Sequence, residues 1–203
     1  MAMDFKNCNR RQVMAGAAAA SVLAGLPQAG VAMTEKVAKS LVTLVVADIN
    51  KVIASGKTEA EMYKDFEQIF VQYADVETMA RYALGVEGRS ASKRQMKAFT
   101  EAFQVYISTK YGKRFREFIG GRVDVVGARQ VKSFFEVKTV AHLQGAAPFD
   151  VTFHVSDRSG KDLFFNMYIE GLNMLLAERT EIGAMLDKRG GDLDRLIEDL
   201  QAL

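Results

Sequence analysis

The sequence of 203 residues has no tryptophan, one cysteine and two prolines. Its cysteine, Cys8, lies in an N-terminal segment that we expect to be removed, so the remaining chain has no thiol for a disulfide, a thiolate metal site or a nucleophile. Pro27 and Pro148 are too few to form a proline-rich linker between domains. The sequence therefore predicts a single domain without cysteine chemistry.

An excess of positive charge is also absent once the first 32 residues are set aside. Three of the 27 basic residues and one of the 25 acidic residues lie in that segment, which leaves 24 of each. A protein that binds nucleic acid is expected to keep a basic surplus, because it must neutralise phosphates. We therefore expect no nucleic-acid partner.

Long apolar runs are missing too, and the longest one lies near the N-terminus. It extends from Val13 to Leu26, which is shorter than the roughly 20 residues that a bilayer-spanning helix needs. Arg10 and Arg11 precede it, and small residues follow it up to Ala32. This order is typical of an export signal, and the paired arginines favour the twin-arginine route. We predict a twin-arginine-type signal peptide over residues 1–32 and one extracytoplasmic domain over residues 33–203.

The first half of that domain is predicted to be helical. Apolar residues recur at three- and four-residue spacing in residues 34–55, which predicts an amphipathic helix. Thr58 and Glu61 form a capping-box pattern for a second helix. Asp75 can cap a short third helix, and a long fourth helix is expected over about residues 92–118.

After Gly120 and Gly121 the apolar period changes to two, which predicts strands. Four alternating apolar sets follow: Val123 and Val125; Phe135 and Val137; Val151, Phe153 and Val155; Leu163, Phe165, Met167 and Ile169. Short connections between these sets predict hairpins and hence an antiparallel sheet. The connections are residues 127–130, 145–148 and 157–160.

Two further helices are predicted at the C-terminus, over about residues 173–188 and 192–201. Helices and strands are thus segregated along the chain, which is the pattern of an α+β domain. We expect the helices to cover one face of a curved four- to five-stranded antiparallel sheet that encloses an apolar cavity.

Candidate catalytic and metal-binding groups are scarce. His142 and His154 are the only histidines, and both lie at strand positions opposite the apolar set, so we expect them on the solvated surface. Without an acidic cluster nearby they do not make a metal site. The paired glycines lack the setting that phosphate-binding loops require. We predict no catalytic residue, no metal and no cofactor.

Large apolar residues are abundant, with 13 Phe, 6 Tyr and 10 Met. They fit an ordinary solid core, but a concave sheet capped by helices leaves its widest gap between the layers. Flexible methionines also suit the wall of a cavity. The residues that we predict to line it are Phe66, Phe70, Phe99, Phe103, Ile107, Tyr111, Phe115, Phe135, Val137, Val151, Phe153, Phe165, Met167 and Ile169.

Two charges on the long helix disturb its apolar pattern. Lys110 and Arg114 project into the same sector as the apolar residues, and unpaired charges in a closed core carry a large penalty. Either Gly112 bends the helix, or the charges lie at a polar mouth of the cavity, or they extend to water at the domain edge. We predict that Arg89, Lys110 or Arg114 contacts an anionic headgroup or a partner.

The run Tyr73–Gly85 is the most distinctive segment of the chain. With Arg89, Tyr111–Phe118, Val123–Arg129 and Ile169–Leu172 in this order and spacing, it resembles the MlaC or toluene-tolerance family. Members of that family are the soluble periplasmic lipid-binding component of a Gram-negative ABC transport system. The resemblance spans essentially the whole of residues 33–203.

The resemblance implies a cone-shaped fold similar to that of nuclear transport factor 2, with the acyl chains of a phospholipid inside and the headgroup outside. It also implies two transient partners, an outer-membrane lipoprotein complex and an inner-membrane ABC permease complex. Gly88 and Leu163 depart from the family pattern, which commonly has tryptophan and often an aromatic residue at these places. Hopanoid-associated relatives share the pattern, so a polycyclic lipid stays open as the ligand.

Two other interpretations also stay open. An enzyme built on a similar cavity would need a buried carboxylate or a histidine that points inward. An adaptor that only binds other proteins would have a solid core and no co-purifying lipid. A carrier fits the residues better, because each buried methylene group is worth about 0.8 kcal/mol, and a lipid with ordinary chains cannot cross water freely at a useful rate.

Overall fold

The computed structural model describes residues 33–203, apart from the side chains of residues 114–116. The predicted signal peptide over residues 1–32 lies outside the described residues. The N-terminal half contains five helices and a short 3-10 turn: α1 (Glu35–Ile53), α2 (Glu59–Tyr73), α3 (Val76–Leu84), α4 (Glu87–Ser90), α5 (Lys93–Phe115) and the 3-10 turn Arg116–Phe118.

The C-terminal half contains the sheet and two more helices. These elements are β1 (Arg122–Val131), β2 (Phe134–His142), β3 (Phe149–Ser156), β4 (Leu163–Ile169), β5 (Leu172–Asn173), α6 (Met174–Lys188) and α7 (Leu193–Gln201). Within residues 33–203, no helix has both the length and the apolar character that crossing a bilayer requires.

Local sequence signals set the helix starts. Thr34 caps α1 by accepting a hydrogen bond from the Val37 amide, and Asp75 caps α3 in the same way. Thr58 and Glu61 form the predicted capping box of α2. The predicted and observed helices therefore begin at nearly the same residues.

The strands form one antiparallel sheet in the order β1-β2-β3-β4-β5, so each strand pairs with its neighbour in the chain. This architecture confirms the predicted α+β class with an antiparallel sheet. The first hairpin turn, however, was predicted at residues 127–130, which instead continue β1. A bulge between Val125 and Gly127 shifts the register there, and the turn falls at Lys132 and Ser133, where Lys132 has a φ of 53°.

A second bulge lies in the pairing of β3 with β4. Val155 pairs with Phe164, whereas His154 pairs with Asn166, so Phe165 is the extra residue on β4. A bulge of this kind reverses which side chains face each side of the sheet. Phe164 is consequently buried against Phe153, with ring centroids 5.5 Å apart, and Phe165 lies on the opposite face.

The sheet and the helices α1, α2, α3, α5, α6 and α7 contribute residues to the core. α1 packs on β1, where the Asn50 side chain exchanges two hydrogen bonds of 3.0 Å with the Val123 backbone. α5 packs against α2, α3 and α7, and its residues Phe99, Phe103 and Ile107 are fully buried. β4 is tied to the junction of α2 and α3, because the amide of Asp75 donates to the Phe164 carbonyl at 2.8 Å.

Candidate ligand-binding cavity

A cavity of about 440 Å³ lies between the sheet and the helices, a size within the range of small-molecule sites. α1 contributes Val45 and Ile49 to its wall. α2 contributes three apolar residues, Phe66, Ile69 and Phe70. α5 contributes Ser108, Tyr111 and Gly112.

The sheet forms the opposite wall, and almost all of its side chains there are apolar. They are Val123, Thr139, Val151, Phe153, Phe164, Met167 and Ile169. The Thr139 hydroxyl donates to the Val151 carbonyl at 2.9 Å, and the Ser108 hydroxyl on α5 donates to the Gln104 carbonyl at 2.7 Å. Both hydroxyls are therefore satisfied by backbone, and the interior offers an apolar surface.

One end of the cavity is bordered by loops. The residues there are Glu117, Phe118, Leu143, Ala146, Ala147, Phe149 and Glu170. Ala146, Ala147 and both glutamates are exposed, so this end forms the rim. Gly121 permits the close approach of two chain segments beside it, because a Cβ at this position would lie 2.3 Å from the His142 carbonyl oxygen. Among the described side chains of the wall, the carboxylates of Glu117 and Glu170 are the charged groups.

Half of the predicted lining residues lie on this wall. They are Phe66, Phe70, Tyr111, Val151, Phe153, Met167 and Ile169. These residues come from three separate regions of the chain, which the fold brings around one space. Their contact with a ligand stays a prediction.

Five other predicted lining residues are buried in packed regions and are not part of the wall. They are Phe99, Phe103, Ile107, Phe135 and Val137. For Phe99, Phe103 and Ile107 the reason is that α5 is surrounded on several sides, by α2, α3 and α7, so much of its apolar surface contacts helices instead of the cavity. The rings of Phe99 and Phe103, for example, stack on each other with centroids 5.8 Å apart.

The assignment of Phe165 to the wall is wrong, because the bulge in β4 places Phe164 there instead. On the outer face of the sheet, Phe165 packs edge-on against Phe134, with ring centroids 5.6 Å apart. The side chain of Phe115 is outside the described part of the structure. Sequence reasoning also missed Val45 and Ile49 of α1, although their helical spacing marked them as one apolar face.

Of the three predicted cationic residues, the two whose side chains the structure describes are not at the rim. Arg89 is exposed on α4 and is not part of the cavity wall, and the side chain of Arg114 is not described. Lys110 is not part of the wall either, because its ammonium group forms ion pairs with Glu178 at 2.9 Å and with Glu181 of α6. A carboxylate from a distant helix thus accounts for the charge within the apolar sector of α5.

This ion-pair cluster shifts the pKa values of Lys110, Glu181 and Tyr106. Burial alone would lower the pKa of Lys110, but hydrogen bonds to Glu178 and Glu181 outweigh it and raise that pKa. The hydrogen bond from Lys110 lowers the pKa of Glu181. Burial and the two neighbouring carboxylates raise the pKa of Tyr106, whose hydroxyl lies 3.0 Å from the Lys110 ammonium. Lys110 and Glu181 are therefore charged at neutral pH, whereas the Tyr106 hydroxyl stays neutral.

The histidines lie away from the cavity wall, and one of them differs from the prediction. His142 is half-buried and lies 3.2 Å from the carboxylate of Asp124. His154 was expected on the solvated surface, but only 7% of it is exposed. Aromatic rings on the outer face of the sheet cover it, with the centroid of Phe134 at 4.6 Å and that of Tyr168 at 4.9 Å.

Burial of His154 lowers its pKa, although the nearby carboxylate of Glu136 opposes this shift. Neither histidine belongs to a metal-binding arrangement. Over the part of the chain that the structure describes, no group of three or more His, Cys, Asp or Glu side chains could hold a metal ion.

Comparison with known proteins agrees with this geometry. A family model described as MlaC protein matches residues 39–202. Among solved structures, the chain is similar to the phospholipid-binding protein from Ralstonia solanacearum, which was solved in complex with a phospholipid. The match has 18% sequence identity and a TM-score of 0.67, and it covers 80% of this chain and 98% of that chain.

The structural likeness at this level of identity shows a shared fold. The family match is stronger evidence, because it covers most of the chain and includes the segments in which the sequence resembles the same family. It confirms the resemblance inferred from the residues. The chain is therefore a member of the MlaC protein family.

Proposed function

We propose that this protein is a periplasmic lipid carrier that holds the acyl chains of a phospholipid in the cavity between its sheet and helices. The observation that carries the proposal is the cavity itself, which has a volume of about 440 Å³ and an apolar interior. Two described polar side chains of its wall, Ser108 and Thr139, direct their hydroxyls to backbone carbonyls. These hydroxyls are therefore not left unsatisfied against hydrocarbon.

The energetics of lipid transfer support a carrier. Moving one methylene group out of water is worth about 0.8 kcal/mol, so ten of them are worth about 8 kcal/mol. Spontaneous escape of a bound lipid into water is therefore slow, and release needs a receiver that binds the lipid better or a contact that opens the rim. We infer that the protein exchanges lipid between an outer-membrane lipoprotein complex and an inner-membrane ABC permease complex.

The comparisons support the same proposal. The Ralstonia solanacearum protein that shares the fold was solved with a phospholipid, and lipid transport is the role implied by the family. An enzyme would need an acid, base or nucleophile within the cavity. Among the described side chains, the carboxylates on the wall are those of Glu117 and Glu170 at the exposed rim, and both histidines lie elsewhere.

Organic extraction and lipid mass spectrometry of the protein purified from its native compartment test the proposal. We expect about one phospholipid per protein chain. A polycyclic lipid instead would assign the cavity to the alternative ligand, and a protein free of any lipid would contradict the carrier.

Two neighbouring substitutions supply a matched control for that experiment. Val151 lies on the cavity wall, whereas Thr152, the next residue of β3, points to the other face of the sheet. We expect Val151→Trp to fill part of the cavity and reduce lipid content severalfold, and Thr152→Trp to leave it unchanged. Equal lipid content in both folded variants would place the lipid outside the cavity.

The transfer step needs its own assay. Fluorescent phospholipid in vesicles that carry the outer-membrane complex should reach vesicles that carry the permease complex only when the protein is added. Val151→Trp should slow this transfer, and Thr152→Trp should not. Transfer at the same rate without the protein would refute the shuttle.

A further inference from the structure

A buried carboxylate lies directly behind the cavity wall and has no role in the cavity described so far. Glu178 of α6 has an exposure of 0%, and its Oε1 atom accepts hydrogen bonds from the Tyr111 hydroxyl at 2.8 Å and the Lys110 ammonium at 2.9 Å. Its Oε2 atom has no donor among the described residues. A buried charge with one oxygen unsatisfied is costly, so this arrangement calls for an explanation beyond packing.

Tyr111 connects this carboxylate to the cavity. It belongs to the wall, and the chain that follows it reaches Glu117 and Phe118 at the rim. Because its hydroxyl donates to Glu178 behind the wall, the phenol oxygen is held out of the apolar interior. The ring is thus fixed at one end by a charge-assisted hydrogen bond, which is stronger than one between neutral groups.

The other members of the cluster hold Glu178 in place. Lys110 neutralises it, and Glu181 and the Tyr106 hydroxyl bind the same ammonium group. Tyr106 is 7% exposed and is not part of the cavity wall. The cluster therefore contains two tyrosines of which only Tyr111 contributes to the cavity.

We propose that Glu178 is a positioning residue for lipid retention, acting through Tyr111. With its acceptor in place, the Tyr111 ring stays against the wall and presents only carbon to the ligand. Without it, the hydroxyl loses a charged acceptor and the ring is held less firmly, which loosens the wall next to the rim. This inference rests on the proposed lipid-carrier function and adds the residue that controls the rate of release.

The test measures the rate at which fluorescent phospholipid leaves the loaded protein for acceptor vesicles. We expect Glu178→Leu and Tyr111→Phe each to raise this rate about tenfold, which corresponds to about 1.4 kcal/mol. The double variant should release lipid no faster than either single variant, because both changes break the same contact. Glu178→Gln keeps an oxygen acceptor for the Tyr111 hydroxyl and should stay within about twofold of the wild type.

Tyr73→Phe is the matched control, because the Tyr73 hydroxyl also donates to a carboxylate, that of Asp48 at 2.8 Å, and Tyr73 is buried but not part of the cavity wall. This variant should lower thermal stability without changing the release rate. Equal acceleration by Tyr73→Phe would show a general loss of stability and overturn the proposal. Multiplicative effects of Tyr111→Phe and Glu178→Leu would overturn it as well.

Three further outcomes keep the test decisive. Should Glu178→Leu fail to fold, Tyr111→Phe carries the test alone, and a release rate equal to that of the wild type refutes the role of the Glu178 contact. If the wild-type protein takes up no phospholipid at all, the carrier function itself is refuted. If all variants load and release like the wild type, the carrier stands and only the positioning role is lost.

Discussion

Replacing Lys110 with methionine should destabilise the protein far more than the loss of an ordinary lysine. Methionine keeps much of the length of the side chain but removes the charge that faces Glu178. That carboxylate has an exposure of 0% and would lose its cationic donor while it keeps the hydrogen bond from the Tyr111 hydroxyl. The variant therefore leaves a fully buried negative charge without a counter-ion.

The expected magnitude follows from the burial of the two partners. Removing one partner of a buried ion pair costs about 3–5 kcal/mol. Since the Lys110 side chain is 34% exposed, solvent screens part of the interaction, and we expect a loss near the lower limit, about 3 kcal/mol. For a domain of this size, that loss lowers Tm by about 6–12 °C.

Urea denaturation of delipidated protein, followed by circular dichroism, measures this loss. Delipidation matters because bound ligand adds its own stabilisation. Lys113→Met, an exposed lysine on the same helix, is the control and should change the free energy of unfolding by less than about 0.5 kcal/mol. The double variant Lys110→Met with Glu178→Leu should recover most of the stability, because an apolar pair can replace a buried ion pair. A single variant as stable as the control, or a double variant less stable than Lys110→Met, would refute the reasoning.

Two further predictions concern the sheet. Burial lowers the pKa of His154, so the folded protein favours the neutral imidazole. The contribution of His154 to the free energy of unfolding should therefore be constant above about pH 6.5 and be lost as the pH falls through the lower folded-state pKa. His154→Gln should remove this pH dependence of the urea midpoint, and an unchanged profile would contradict it. Phe164→Ala should reduce the lipid content per chain, whereas Phe165→Ala on the opposite face of the sheet should leave it unchanged. Quantitative lipid extraction measures both variants, and the reverse result would contradict the bulge in β4.

The sequence predicts the class of fold and most helix starts, because these depend on local signals. Apolar spacing and the caps at Thr34, Thr58 and Asp75 act within a few residues. The two bulges were not predictable in this way. A bulge is a property of two paired strands, and the alternation of Phe165 with Met167 gives no sign that Phe165 is the extra residue.

The site was predicted only in part for a related reason. Apolar residues of a packed core and of a cavity wall look alike in sequence, so the apolar pattern does not distinguish Phe103 from Phe66. Of these two residues, Phe66 lies on the cavity wall and Phe103 does not. Lys110 was marked by its misfit with the apolar face of α5. Its partner Glu178 lies 68 residues further along the chain, and no periodicity within one helix could identify it.

The cavity depends on polar contacts around it as much as on its apolar wall. At the rate measured for closed cavities in protein cores, an empty space of about 440 Å³ that excluded water would cost on the order of 10 kcal/mol, which is comparable with the whole stability of a domain. Hydrophobic collapse would therefore close it unless the surrounding elements were held apart. The Asn50 contact with β1, the Asp75 contact with β4 and the Lys110 contact with α6 fix α1, the α2–α3 junction and α5 from outside the space. A hydrocarbon ligand removes the cost of the void, so the arrangement favours an occupied protein over an empty one.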